Sequence, residues 1–323
     1  MISQLPAKEY IVSSLASHLV PPLLRALGYR RRFASVHKTS KLIADRQLRP
    51  QPYGPPRRAL RGVSITVDHD RGWPLYTVVP AESSPQQHLV YVHGGAWINQ
   101  IAPQHWQLVA ELATATSSQI LVPIYPLAPH GTAASVVPRI AELLRSLCEK
   151  HGANTVSVVG DSAGGQIALS AALLLRDDQV ALAHTVLIAP ALDLSLSNPE
   201  IDAVEPHDPW LVRPGLHTAV DLWRDGLSLT NPMVSPLCGD MSGLGPLTVF
   251  VGTRDITNPD AKLLIAKARA AGVPTEFHEA PNMVHVYPLL PIPEARQARG
   301  RMAALLRGEP LAEATAERPK SIR

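Results

Sequence analysis

The chain has few cysteines, and their positions exclude two kinds of site. Cys148 and Cys238 are the only two among 323 residues, and neither a disulfide framework nor a cysteine-based metal site can be built from them. We interpret both as structural thiols and expect a reducing, cytoplasmic compartment. Metal-ligand spacings of His, Cys and carboxylates are missing too, as are glycine-rich nucleotide loops after a strand, so we expect no metal and no cofactor.

Long apolar runs and a strong excess of one charge are also missing. Every apolar stretch is interrupted by a charge, Gly or Pro before it reaches membrane-spanning length. Residues 1–24 lack a basic region ahead of an uninterrupted apolar core, so they predict an amphipathic helix and not a signal peptide. The net charge of +3 argues against nucleic acid. A local basic cluster leaves two interpretations open, a solvated helix face or weak attraction to an anionic membrane surface; it contains Arg25, Arg30, Arg31, Arg32, Lys38 and Lys41.

Apolar periodicity divides the chain into a helical start, a sheet-forming body and a tail. Hydrophobic residues at 46% and charged residues at 18% allow a sizeable core. Residues 9–27 and 31–46 carry helix-spaced apolar positions, and a proline-rich linker follows them. Two β-branched segments, 63–67 and 75–79, predict the antiparallel start of a sheet. The tail, residues 309–323, is predicted to be flexible.

From residue 89 onward, apolar strands alternate with helices. This alternation predicts a mainly parallel sheet that is covered by helices on both faces. The interval between Asp193 and Leu244 departs from it, because it has many prolines, an amphipathic stretch at 216–227 and no strand. We interpret this interval as an insertion between two strands. The predicted strands are 89–93, 120–125, 155–159, 186–189, 247–251 and 275–278, and the predicted helices are 107–113, 134–149, 165–176, 260–271 and 293–306.

The segment Gly160-Asp161-Ser162-Ala163-Gly164 carries the strongest functional signal. It has the form G-x-S-x-G and lies between an apolar strand and an apolar helix, which is the context that a nucleophile elbow requires. The turn is so sharp that side chains two positions before and after the serine would clash, so glycine occupies both. The hydroxyl of Ser162 then stands at a helix N-terminus, whose dipole favours developing negative charge. We therefore predict that Ser162 is a nucleophile.

The loop after the first parallel strand predicts an oxyanion hole. The sequence His93-Gly94-Gly95-Ala96-Trp97 resembles the H-G-G-G loops that supply one donor, and the residue after the nucleophile supplies another. Because glycine has no Cβ, backbone amides in this loop can approach a substrate carbonyl closely. We assign the hole to the amides of Gly94, Gly95 and Ala163, and we place Trp97 in the wall of the substrate pocket.

The catalytic base and acid are predicted from the loops that end two later strands. A serine hydroxyl needs a base with a pKa near neutrality, and in this fold the chain order is serine, acid, histidine. Among the histidines after Ser162, we choose His285, which follows the last predicted strand at the edge where such sheets collect catalytic groups. Asp255 follows the preceding strand, and we predict that it orients His285 and stabilises the imidazolium. Asp193 is the alternative acid.

Together these motifs resemble the hormone-sensitive lipase family, the bacterial esterase branch of the α/β-hydrolases. The resemblance covers residues 62–306 and implies the α/β-hydrolase fold, a mainly parallel central sheet flanked by helices. It also implies a helical cap, built from the N-terminus and from an insertion before the acid-bearing strand. We divide the chain into a cap segment at 1–60, a catalytic domain at 61–308 with a cap insertion at about 196–243, and the tail. The matching blocks are His93–Trp97, Tyr125–Pro129, Gly160–Gly165, Asp255 and His285.

The resemblance further implies an activity. It is the hydrolysis of short- to medium-chain carboxylic esters through a covalent acyl-enzyme, without a cofactor, and frequently in a dimer. Ala96, Pro126 and His130 stand where the family usually has Gly, Arg and Glu, so the details of substrate preference do not transfer. The alternatives are a lactonase or aryl formamidase that uses the same triad, and a catalytically silent ligand-binding module.

Overall fold

An eight-stranded, mainly parallel sheet forms the centre of the molecule in the computed structural model, which describes residues 14–56, 60–69, 72–82 and 85–312. The strand order is β1-β2-β4-β3-β5-β6-β7-β8. Strand β2 is antiparallel to both of its neighbours, and every later pair is parallel. The predicted α/β-hydrolase fold is therefore confirmed. The strands are β1 Val63–Asp68, β2 Leu75–Pro80, β3 Gln87–Val92, β4 Ser118–Pro123, β5 Val156–Asp161, β6 His184–Ile188, β7 Leu247–Arg254 and β8 Thr275–Val284.

Ten helices pack around this sheet in the described part of the chain. Helices cover both faces of the sheet. Because neighbouring residues of a strand point to opposite faces, each central strand contributes side chains to two separate cores. In β3, Val90 and Val92 join the core under α5, α6 and α9, whereas Leu89 and Tyr91 join the core under α4 and α10. The helices are α1 Leu15–Ala26, α2 Tyr29–Arg32, α3 Val36–Leu48, α4 Pro103–Thr116, α5 Ala133–His151, α6 Ala163–Asp177, α7 Ile201–Val204, α8 Arg213–Arg224, α9 Asn258–Ala270 and α10 Pro293–Leu306.

The predicted helix at residues 31–46 is wrong in one respect, because the structure divides this region between α2 and α3. Ser35 has an extended backbone, and its side chain accepts a hydrogen bond from the backbone N–H of Lys38. This N-cap starts a new helix and ends the previous one at a bend. Of the predicted helix at 9–27, residues 9–13 lie outside the described residues, as does most of the predicted tail.

The N-terminal helices and the insertion pack against each other. The guanidinium of Arg30 donates hydrogen bonds to three backbone carbonyls of the insertion, those of Glu205, Asp208 and Leu211. The amide of Gly215 in α8 donates to the carbonyl of Phe33 at 2.9 Å. These contacts join two segments that are more than 170 residues apart in sequence. No helix among residues 14–56, 60–69, 72–82 and 85–312 has both the length and the apolar character needed to cross a bilayer.

Two helical glycines provide a matched test of this packing. A Cβ at Gly215 would collide with the backbone of Phe33 and with Thr39, whereas a Cβ at Gly300, an exposed site in α10, would meet nothing within 4 Å. We expect Gly215→Ala to lower the free energy of unfolding by about 1–3 kcal/mol through overpacking. Gly300→Ala should raise it by about 0.5–1 kcal/mol, since alanine loses less backbone entropy in a helix. Urea unfolding of both variants measures the difference, and equal stabilities would contradict the close packing at Gly215.

Candidate active site

The turn between β5 and α6 holds Ser162 in a strained conformation. Its φ is 52° and its ψ is −118°, in the region that residues other than glycine rarely adopt. Gly160 and Gly164 flank it because a Cβ on either would collide with backbone, at Gly164 with the carbonyls of Val92 and His93. The turn therefore brings the N-terminus of α6 directly against the end of β3, and the serine side chain stands partly exposed above the sheet.

His285 connects Ser162 to Asp255. The Nε2 atom of His285 lies 2.9 Å from the Oγ of Ser162, and its Nδ1 lies 2.9 Å from the Oδ2 of Asp255. With the proton on Nδ1, the imidazole donates to the carboxylate and accepts from the serine hydroxyl. The other oxygen of Asp255 accepts from the amide of Thr257 at 2.9 Å, which fixes the carboxylate in place. Both His285 and Asp255 are buried, so this chain of hydrogen bonds is shielded from competing water.

Several carboxylates act on the imidazole of His285. Burial by itself lowers the pKa of a histidine, but the charges of Asp255, Asp208 and Asp161 and the hydrogen bond from Nδ1 outweigh it, and the pKa of His285 is raised above 6.5. A base of this kind holds a proton readily once it has received one.

Asp193 and His93 could also have served as an acid and a base, but both side chains bind other groups. The carboxylate of Asp193, the alternative acid, accepts from the amide of Ser195 at 2.9 Å. His93 is completely buried and stacks on the ring of Tyr125, with centroids 4.5 Å apart. Burial lowers the pKa of His93 to about 4, so its imidazole stays neutral. Its Nδ1 lies 2.7 Å from the carbonyl of Gly94, to which it donates.

The three amides predicted for the oxyanion hole do not share one environment. The amide of Gly94 donates to Oδ1 of Asp161 at 3.0 Å, so it is already engaged within the protein. The amides of Gly95 and Ala96 have no acceptor among the described residues, and Ala163 opens α6 beside the serine. The loop after β3 approaches the end of β5 so closely that a Cβ on Gly94 would collide with Asp161. This close approach brings the Gly94 amide within hydrogen-bonding distance of the Asp161 carboxylate.

A cavity of about 460 Å³ opens in front of Ser162 and His285. Its walls are largely apolar and come from the sheet edge, from the N-terminal helices and from the insertion. Trp97 lies in this wall, and its Nε1 donates to the buried amide oxygen of Gln166. Within the described ranges, no group of three His, Cys, Asp or Glu side chains could hold a metal ion. The apolar lining includes Leu24, Tyr29, Phe33, Trp210, Leu211 and Leu216.

Sequence reasoning missed Asp208, a buried carboxylate of the insertion beside the triad. One of its oxygens accepts from the amides of Trp210 and Leu211, and the other accepts from the amide of Ile256, the residue after Asp255. The ring of Trp210 also packs edge-on against His285, with centroids 5.9 Å apart. The insertion therefore contacts both the loop that carries Asp255 and the ring of His285. Asp208 precedes Pro209 in the proline-rich insertion, where other acidic residues lie nearby, so nothing in the local sequence singled it out or identified its partner.

The ionisation of Asp208 provides a test of its burial. Burial and the charge of Asp255 raise the pKa of Asp208 from 3.8 to about 7. Between these values the folded protein keeps a proton that the unfolded chain has released, so this group makes stability fall as pH rises through that window. The Asp208→Asn substitution removes this pH dependence, but it also removes the hydrogen bond from the amide of Ile256. We expect the melting temperature of this variant, relative to wild type, to improve from about pH 4 to about pH 7 and to stay level at higher pH.

Calorimetry across this pH range measures the trend. Asp221→Asn, on the exposed side of α8, is the control and should follow wild type at every pH. A constant difference between Asp208→Asn and wild type would mean that Asp208 is ionised throughout, contrary to the environment described above.

Comparison with known proteins identifies the family. Residues 89–289 match the model of a family with the alpha/beta hydrolase fold. The chain is 33% identical to a triacylglycerol lipase of Mycobacterium tuberculosis over 72% of its own length and 49% of the lipase. It is 31% identical to an acetyl-hydrolase of Streptomyces hygroscopicus, over 68% of this chain and 75% of that protein. The crystal structure of EstE7, a hormone-sensitive lipase homologue from a metagenome library, covers 91% of this chain and 98% of its own at 24% identity, with a TM-score of 0.76.

The chain thus spans about half the length of the mycobacterial lipase that it matches, and most of the length of the acetyl-hydrolase. At 24% identity, the similarity to EstE7 shows that the two proteins share a fold. The family match covers most of the sheet and all three residues of the Ser162–His285–Asp255 chain. The protein therefore belongs to this family of α/β-hydrolases.

Proposed function

We propose that this protein hydrolyses carboxylic esters through a covalent acyl-enzyme formed on Ser162. The observation that carries the proposal is the unbroken hydrogen-bond chain from Ser162 through His285 to Asp255, with 2.9 Å at each link, at the floor of an apolar cavity. Relatives named lipase, esterase and acetyl-hydrolase support this class of reaction.

Acylation begins when the Oγ of Ser162 attacks the ester carbonyl carbon and His285 takes the hydroxyl proton on Nε2. Asp255 accepts from Nδ1 throughout, so the new imidazolium is stabilised where it forms. The carbonyl oxygen gains negative charge in this step. We assign its stabilisation to the amides of Gly95 and Ala163, together with Ala96, and leave out Gly94 because its amide is engaged by Asp161.

The imidazolium then gives its proton to the alkoxide oxygen as the carbon–oxygen bond breaks, and the alcohol departs. In the second half of the reaction, His285 removes a proton from water, and the resulting hydroxide attacks the acyl carbon. Collapse of this intermediate returns the proton to Ser162 and releases the carboxylic acid. Each proton that leaves one oxygen therefore passes through the same ring nitrogen to the next.

The cavity supports an acyl group of short to medium length. Its volume of about 460 Å³ lies within the range of small-molecule sites, and its apolar walls favour hydrocarbon over charge. We propose that the segments at 1–60 and 196–243 form the cap of this cavity, because their described residues supply much of its lining, including Phe33 and Leu216. Relatives named esterase and acetyl-hydrolase support simple esters, and not lactones or formamides, as the substrates of this protein. A panel of the three substrate types distinguishes these reactions.

The two cysteines bear on the cellular compartment of the protein. Cys148 is buried and Cys238 is exposed, and both are free thiols. An exposed free thiol is suited to a reducing compartment, and we propose a cytoplasmic location on this ground. A homodimer, which the family resemblance implies, stays a prediction.

Substitution of the proposed nucleophile and acid tests the mechanism. With p-nitrophenyl butyrate as substrate, Ser162→Ala should lower kcat by about 10⁶ if the triad acts as a unit. Asp255→Asn should lower it by about 10⁴, since the imidazole loses the partner that fixes its tautomer. Asp193→Asn should lower kcat far less than Asp255→Asn, because Nδ1 of His285 binds Asp255 and the Asp193 carboxylate accepts from Ser195. A fluorophosphonate probe should label wild type and leave Ser162→Ala unlabelled; failure to label wild type would favour a silent binding module.

The pH dependence of kcat/KM tests the environment of His285. Only the neutral imidazole can accept the serine proton, so activity should fall as pH falls through the pKa of His285. Because neighbouring carboxylates raise this pKa, the acidic midpoint of kcat/KM should lie above 6.5, measured in the free enzyme at low substrate concentration. A midpoint below that value would contradict the electrostatic arrangement described here.

A further inference from the structure

The outward face of α1 is apolar, although it lies in water. Leu15, Leu19, Leu23 and Leu27 are 86%, 68%, 56% and 57% exposed. Residues spaced by four lie one above another along a helix, so these leucines form a continuous stripe. Of the eight large hydrophobic side chains that are exposed in the described part of the chain, six fall within residues 15–48. Contiguous apolar surface of this kind usually marks a contact with another molecule.

The exposure of this stripe does not come from a detached helix. The opposite face of α1 is buried through Ser17, Pro21 and Leu24. At its start, the amide and hydroxyl of Ser14 donate to the carboxylate of Glu294 in α10, at 2.5 and 3.0 Å. The helix is therefore docked through one apolar face while it presents a second to the solvent.

Positive charge is concentrated in the same part of the chain. Residues 14–49 contain eight Lys and Arg and a single acidic residue, Asp45, whereas the whole protein has a net charge of only +3. Arg30 is used inside the protein, where it binds the insertion. Two surfaces of this charge would repel each other, so a second copy of the chain is a poor partner. An anionic bilayer, in contrast, attracts these side chains, and each cation near its surface raises the binding constant by about a factor of 5. The exposed cations are Arg25, Arg31, Arg32, Lys38, Lys41 and Arg49.

We propose that the outer face of α1 docks on the surface of an anionic lipid bilayer. The helix lies in the plane of the interface, with its leucines among the upper acyl chains and the cations of α1–α3 near the lipid phosphates. Such an association is peripheral and reversible, because a helix in the interface plane buries only one face in the lipid. Leu24, on the inner face of α1, lines the cavity that contains Ser162, so docking brings one wall of that cavity close to the lipid.

Co-sedimentation with vesicles tests this inference in the full chain. The vesicles are phosphatidylcholine, with and without phosphatidylglycerol. Wild type should bind the anionic vesicles at least ~5-fold more tightly than the neutral ones, and high salt should weaken binding. Leu19→Gln/Leu23→Gln should reduce binding on the order of 10-fold, because two apolar side chains leave the interface. Leu263→Gln, a similarly exposed leucine of α9, is the matched control and should bind like wild type.

Two further measurements separate this inference from the proposed esterase activity. Hydrolysis of dissolved p-nitrophenyl butyrate by the double variant should equal that of wild type, since neither leucine belongs to the catalytic machinery, and vesicle binding needs no activity. Wild type that stays in the supernatant with both vesicles would overturn the inference. So would light scattering that shows a wild-type dimer, a monomeric double variant and no vesicle binding, because the stripe would then be an interface between copies.

Discussion

Direct backbone contact between the loop after β3 and the turn before α6 is the constraint on which the site depends. The contact is close enough that Gly94 and Gly164 cannot carry a side chain. It fixes the position of Ser162 relative to the backbone amides of the loop that begins at His93. The buried carboxylate of Asp161 holds the two together by accepting from the amide of Gly94 and the hydroxyl of Tyr91, at 3.0 and 2.6 Å. A third contact, to His105 at 3.1 Å, ties α4 to the same group.

A second set of contacts connects His285 and the loop after Asp255 to the segments that line the cavity. Asp208 accepts from the backbone of the acid loop at Ile256, and Trp210 packs on His285. Arg30 in turn donates to the backbone carbonyl of Asp208. The geometry of the base therefore depends on two segments far from it in sequence. Burying a carboxylate next to Asp255 costs stability, and the amide hydrogen bonds to Asp208 offset part of that cost.

The sheet and the proximity of Ser162, His285 and Asp255 were predictable from sequence because their signals are local. An apolar strand followed by G-x-S-x-G identifies Ser162 without reference to the rest of the protein, and the ends of later strands locate Asp255 and His285. Asp208 was not predictable, since its partner is an amide 48 residues away and a backbone amide leaves no trace in sequence. The engagement of the Gly94 amide was missed for the same reason. The division of residues 31–46 into two helices depended on a cap at Ser35 that hydrophobic periodicity does not report.

The N-terminal helices belong to two environments at once, and this explains their unusual composition. Their inner side must be apolar to close the cavity, as Leu24 and Phe33 do. The outer side of a helix in contact only with water would carry polar residues, yet α1 presents leucine there. Tyr29 connects the two sides to the chemistry, because its ring packs on Trp210 at 5.1 Å and Trp210 packs on His285. Trp210 is therefore the side chain through which the N-terminal helices contact His285, and close packing leaves it little free space between them.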